Sequence, residues 1–342
     1  MLLLANKNNV PELNLATEDC FLNDALNFDN AVMLWRNNPS IIVGRYQNTI
    51  EEINYPMVKK MEIPVVRRLS GGGAVYHDLG NINYTFFLRM NKRKDFSISG
   101  LLNPVIEVLR KLGVPAEHSG RNDITVQGRK ISGNAQYLSG DRLLHHGCIL
   151  FSTDLEMVGD ILMVDPDKFV SKSVKSIRSR VANISEFLKS SLDVEEFMEL
   201  LLKEMTEGGV QKELAYFRLK REEIERIASL KYLQWSWNFG ASPPYNIKNT
   251  LMLPVGKIEI RIFVQEGVIS NIKIYGDFLP TVNTEDFEAA ITGKQFEESS
   301  LSVFLRDDPG TQSFLSKLGM NTDQMIGLFF GQGQEGENKK GK

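Results

Sequence analysis

Cysteine is nearly absent from this chain: Cys20 and Cys148 are the only two among 342 residues. Two cysteines cannot build a disulfide framework, and such sparse use suits a reducing compartment. Histidine is also scarce, with four in all, which argues against a zinc site assembled from nitrogen and sulfur ligands. No apolar run approaches the length that crosses a bilayer, and Met1 to Leu4 is too short for the hydrophobic core of a secretory signal. Neither charge is in excess: 40 basic residues face 43 acidic ones, for a net charge of −3. The global signature of nucleic-acid or anionic-membrane binding is therefore missing, and any anion must be bound locally. The chain shows no internal repeats, and its length predicts one large or two unequal domains of a cytoplasmic protein.

What is present centres on RRLSGGGAVYHDLGN, Arg67 to Asn81. Short β-branched Ile63 to Val66 precedes it and Ile82 to Leu88 follows, so both flanks read as strands. Three consecutive glycines exceed what a tight turn needs and let a backbone approach a ligand closely, with its N–H groups available to an anion. Arg67 and Arg68 add positive charge just upstream. The loop is neither a P-loop, which needs Lys-Ser/Thr after its last glycine, nor a dinucleotide fingerprint, which needs a helix there. A plain β-hairpin whose glycines serve only the turn is the competing reading.

A second stretch, GRNDITVQGRKISGNAQY, reads as a strand Asp123 to Gln127, a turn at Gly128, and Lys130 to Ser132 running into Gly133. A lysine past a turn is commonly a solvated tip; Ser132, Gly133 and Asn134 instead continue a small, polar, backbone-exposing character that fits closely around a polar ligand. In HHGCILFS, His145 and His146 point to opposite faces of a strand, so one is expected to face the core. Lys168, Lys172, Lys175, Arg178 and Arg180 form a Ser-rich basic run, readable as a solvated loop, a weak nucleic-acid patch or a clamp for phosphates that orders on binding.

Helices are expected at Leu15 to Leu26, Leu101 to Leu112, Leu192 to Met205 and Arg221 to Leu233. Ala31 to Trp35 and Ser40 to Gly44 read as a hairpin, followed by a polar turn at Arg45 to Asn48. The aromatic, Pro-containing Trp235 to Tyr245 breaks the periodicity and marks a domain boundary, giving domains 1–245 and 246–330. The second contains three strands and then four helical patterns, a small α+β unit; residues 331–342 read as a disordered tail.

With these motifs in this order, followed by VKSIRSRVANI, the chain from about Asn14 to Asn183 resembles the lipoate-protein ligase A family. WSWNFGASP resembles that family's entry to its accessory domain. The resemblance implies an α+β fold: a class II synthetase-like biotin/lipoate ligase catalytic domain, with a mixed sheet flanked by helices. It also implies the reaction, in which lipoate and ATP give lipoyl-AMP and an acceptor lysine then displaces AMP. Lys130 matches the catalytic lysine. Arg68 and the backbone at Gly73, Ala74, Val75 and Tyr76 match positions that hold nucleotide and adenylate, and Asn122 and Asp123 match the motif near adenylate and metal. Mg²⁺ is implied, with Asp123 its ligand. Gly71, Gly72, Lys130, Ser132, Gly133 and His146 resemble the lipoate site, and Lys172 and Arg178 belong to the loop that closes over the adenylate. The implied partners are lipoyl domains of 2-oxoacid dehydrogenases or a glycine-cleavage H protein, with no nucleic acid and no membrane. Cys148 stands where many relatives carry a small polar residue such as threonine. It reads either as inert core or as the nucleophile of an ATP-independent octanoyl or lipoyl amidotransferase, the alternative function.

Overall fold

The computed structural model describes residues 2–24, 30–90, 98–119, 122–162, 180–189, 191–206, 212–240, 247–276 and 283–331. The basic run from Lys168 to Ser179, the boundary at Tyr245 and the tail after Gly331 lie outside them. The chain divides into two compact units: one holds residues 1–43, 49–70 and 74–238, the other residues 44–48, 71–73 and 239–342.

In chain order the strands of the first unit are β1 (Leu2–Leu4), β2 (Asn30–Trp35), β3 (Ser40–Val43), β4 (Val65–Arg67), β5 (Val75–His77), β6 (Asn81–Arg89), β7 (Ala116–Ser119), β8 (Asp123–Val126), β9 (Arg129–Ser139), β10 (Arg142–Leu150) and β11 (Lys212–Leu214). Eight of them form a mixed sheet in the order β11-β1-β2-β6-β10-β9-β8-β7. Its central strands alternate along their length, as the two-residue period requires. Ile82, Tyr84 and Phe86 turn to one face, where the helices Ile98–Lys111 and Val194–Met205 bury Leu102, Val105, Leu109, Phe197 and Leu201 against them. Each such side chain contributes roughly 1.5–3 kcal/mol on burial. The opposite face packs Met33, Trp35, Phe87 and Leu144 against Leu15, Ala16, Cys20 and Leu22 of the helix Pro11–Asn23. Asn14 does not cap this helix. Its buried amide donates to Asn8 O, Arg36 O and Asn37 Oδ1, while Pro11 starts the first turn.

A second sheet has the order β4-β3-β5. The expected hairpin of β2 with β3 therefore does not form, because both edges of β2 are already taken by β1 and β6. Nor is the glycine stretch a simple hairpin, since it joins β4 to β5 on opposite sides of β3.

The second unit has one antiparallel sheet of β12 (Ile247–Leu253), β13 (Gly256–Gln265) and β14 (Val268–Gly276). Ile258, Ile260, Ile262, Ile269, Ile272 and Ile274 form its buried face. The helices Thr284–Ile291, Glu298–Asp307, Pro309–Leu318 and Thr322–Phe330 supply Phe287, Leu301, Phe314 and Phe329 to the same core.

Candidate functional site

Cross-strand partners point to the same face of a sheet, so the register of the large sheet aligns a row of side chains across five strands. Trp35 on β2 pairs with Asn83 on β6, Asn83 with Cys148 on β10, Cys148 with Gly133 on β9, and Gly133 with Asp123 on β8. One step along, Met33, Thr85 and His146 form a parallel row. Polar side chains on this face lie beneath the helix Pro11–Asn23 and behind the exit of β4.

Lys130 stands at one end of the first row. The β8–β9 turn takes left-handed φ values of 53° at Gln127 and 75° at Gly128, the twist that lets a two-residue connection reverse a right-twisted pair. Lys130 N–H then donates to Arg180 O at 2.7 Å and its carbonyl accepts from Ala182 N–H at 3.0 Å, which fixes the backbone at the near end of the basic run. Its side chain lies over Gly133, where an added Cβ would come within 3.0 Å of both Cε and Nζ. Nζ is 2.8 Å from Asp123 Oδ1, and both side chains are partly open, 41% and 33% exposed. That pair is an ion contact without hydrogen-bond alignment: Asp123 Oδ1 has no hydrogen-bond donor among the described residues.

Asn122 works differently from its neighbour. Its amide donates to Asn134 O, and Asn134 Nδ2 returns a bond to Asn122 O at 2.9 Å, while the fully buried Tyr84 hydroxyl donates to Asn134 Oδ1. Ser132 also bonds to Asn134, at 3.4 Å, and pairs across the ladder with the core residue Ile149. Asn122 and Ser132 are thus tied to Asn134, which turns with Tyr84 to the face opposite the row, rather than placed beside Lys130.

The arginine pair separates in the same way. Arg67 is 1% exposed and donates from its backbone to Asn238 Oδ1, from Nε to Trp237 O and from Nη2 to Thr49 Oγ1, tying the end of β4 to residues 235–238. Arg68 donates from Nε to Ser70 Oγ at 3.0 Å and from Nη1 to Ile42 O at 3.1 Å. Ser70 Oγ is 2.6 Å from His146 Nε2, and His146 Nδ1 is 3.0 Å from Glu18 Oε1, which also accepts from Thr85. Arg68, Ser70, His146 and Glu18 thus form one hydrogen-bonded chain across the buried face. Burial pulls the Arg68 guanidinium down to about 10, with Cys148, Glu18 and Glu52 acting in the opposite sense, so it stays protonated at neutral pH. His145, on the other face of β10, is fully buried and bonded to Gln136, and burial lowers it to about 3.

Of the other expected residues, Val75 and Tyr76 lie on β5, and Ala74 leads into it. Burial, then Asp78 and Asp154, push the Tyr76 hydroxyl up to about 12. Gly71, Gly72 and Gly73 group with the second unit. Gly72 has φ of 89°, which favours glycine, and a Cβ at Gly73 would meet nothing within 4 Å. Lys172 and Arg178 lie outside the described residues. Cys148 is in neither hydrophobic core; it faces the row, half-exposed, with Sγ 3.7 Å from Gly133 O. Sequence reasoning singled out Asn134 but missed Glu18, Ser70, Asn83, Tyr84 and Thr85. A visible signal was the polar alternation Asn81, Asn83, Thr85 along a strand whose other face is apolar.

Residues 10–206 match the family model described as the lipoyl protein ligase A/B catalytic domain, and residues 242–329 the bacterial lipoate protein ligase C-terminus. Lipoate-protein ligase LplJ of Bacillus subtilis is 42% identical over 309 residues, covering 89% of this chain and 93% of that protein. Among solved structures, Plasmodium falciparum LipL1 in complex with lipoate aligns with a TM-score of 0.79 and 26% identity over 95% of this chain and 99% of that one. Lipoate-protein ligase A bound with ATP aligns at 0.58 and 26% identity, over 70% and 98%. The chain belongs to the lipoate-protein ligase family, and it is an enzyme of the ligase class. These relatives support a ligase and not the amidotransferase alternative. No helix among the described residues is long and apolar enough to cross a membrane.

Proposed function

We propose that the row from Asp123 to Trp35 binds lipoate beside ATP, forms lipoyl-AMP, and then passes the lipoyl group to a lysine of an acceptor lipoyl domain or H protein. In the first step a lipoate carboxylate oxygen attacks the α-phosphorus of ATP, and the bond to the departing pyrophosphate breaks. Two anions meet in that step, so fixed cations must sit beside them. The carrying observation is Lys130: a half-open ammonium held by its backbone over a strand with no side chain beneath it. Lys130 is the catalytic residue in this reading, touching both carboxyl oxygen and α-phosphate. Arg68 and the backbone at Ala74 to Tyr76 hold the nucleotide; Gly133 and His146 line the lipoate; Asn122 and Ser132 position the Asp123 turn through Asn134. The Arg68–Ser70–His146–Glu18 chain keeps a buried cation oriented.

Asp123 suits a magnesium ion that arrives with ATP. Its Oδ1 lacks a hydrogen-bond donor, and Mg²⁺ favours one or two carboxylates plus phosphate oxygens and water. Among the described residues no group of three potential metal ligands clusters. When bound, the ion supplies charge neutralisation to the leaving pyrophosphate. In the second step the acceptor lysine amine attacks the acyl carbon, and AMP leaves with the bonding pair. The free thiols Cys20 and Cys148 and the use of ATP support a cytoplasmic setting. The protein incubated with lipoate, ATP and a purified lipoyl domain should add one lipoyl mass to that domain. Equal transfer without ATP would overturn the reading.

A further inference from the structure

Asn83 is 2% exposed in the row, between Trp35 and Cys148, yet half of its carboxamide is without a partner among the described residues. Its Oδ1 accepts from Asn81 Nδ2 at 3.0 Å, whereas its Nδ2 has no hydrogen-bond partner among the described residues. An unsatisfied buried donor costs about 1–3 kcal/mol. A strand that carries such a group at its centre needs a reason for it. The alternation of β6 supplies the direction: Ile82 and Tyr84 enter the core beneath the helices, so Asn83 turns to the face that holds Cys148, Thr85 and His146. Strands are spaced about 4.8 Å apart, which puts the Asn83 backbone roughly 10 Å from Gly133, where Lys130 lies. A carboxyl group resting above Cys148 would have the lysine on one side and the asparagine amide on the other.

We propose that Asn83 Nδ2 donates a hydrogen bond to the carboxyl oxygen of the acyl substrate that Lys130 does not engage, making Asn83 a determinant of carboxylate recognition. This inference rests on the reading that lipoate occupies the row. A neutral donor suits the position: it holds a carboxylate before activation and the acyl carbonyl afterwards, whereas a second cation would bind the first more strongly than the second.

The test pairs a protein change with a ligand change, because a structural role would affect every ligand alike. Calorimetry with the full chain compares lipoate with an alkyl dithiolane of equal length that lacks the carboxyl group. Asn83→Ala should weaken lipoate binding about tenfold or more and leave the alkyl dithiolane within about twofold. Asn83→Asp, of nearly the same shape, should weaken lipoate binding further by opposing two carboxylates, and its urea midpoint should fall because an unpaired carboxylate is buried. Equal losses for both ligands, or unchanged lipoate binding in either variant, would overturn the proposal. A wild-type protein that fails to bind lipoate at all would instead remove the reading of the row on which the proposal stands.

Discussion

At Gly133 the absence of a side chain is what gives Lys130 its place. A Cβ there would come within 3.0 Å of Nζ and Cε, and since these are the far end of a flexible chain, the lysine would move rather than the strand. Gly133→Ala should therefore leave the unfolding midpoint close to wild type while lowering adenylation about tenfold or more, read as pyrophosphate release beside a thermal melt. Unchanged release would show that the ammonium does not work from this position. The two arginines divide along the same line between holding the fold and serving a ligand. Adjacent in sequence, they look equivalent as charge; Arg67 is bound to Trp237, Asn238 and Thr49, while Arg68 ends a buried chain that leads through Ser70 and His146 to Glu18.

At the scale of elements, the turn between β8 and β9 depends on a strand beyond it. Asn134 ties Asn122 to β9 and receives the hydroxyl of Tyr84 from β6, two strands away. Asn134→Ala would remove one acceptor of that buried hydroxyl and the side-chain bond to Asn122 O, at a cost of about 1–3 kcal/mol. Urea unfolding should show a loss in this range, with adenylation falling because the Asp123 turn loses its brace; a change below about 0.5 kcal/mol would mean the network is not closed in solution. Such a brace was not legible in sequence, since its partners are about 12 to 50 residues apart and no local pattern pairs them. What was legible was local: the strand at Asp123, the turn at Gly128, and the opposed faces of His145 and His146. Cys148 shows the limit of that approach. Within GCILF it reads as core, and only the register with Gly133 and Asn83 turns it to the polar row. The β2–β3 hairpin failed for a similar reason: a short polar link implies pairing unless other strands already occupy both edges.

For the molecule as a whole, a nearly neutral chain concentrates its chemistry in a few fixed charges. Net charge of −3 offers no long-range pull on ATP, in keeping with the proposal that Arg68, Lys130 and oriented backbone groups bind it at close range. The small α+β second unit followed from periodicity, whereas the α+β fold of the first was implied by the family resemblance; each closes its own apolar core, isoleucines of β13 and β14 in one, alternating strands under two amphipathic helices in the other. The assignment of residues 44–48 and 71–73 to the second unit was not legible, because it depends on tertiary packing of segments far from it in sequence. Lys130 is proposed to stabilise the charge that gathers between carboxylate and α-phosphate. Pyrophosphate release with lipoate and ATP, compared between wild type and Lys130→Ala, tests it most directly. Loss of a charge-stabilising group predicts a fall of about a hundredfold or more, with the fold retained by unfolding midpoint; release near the wild-type rate in the variant would contradict it.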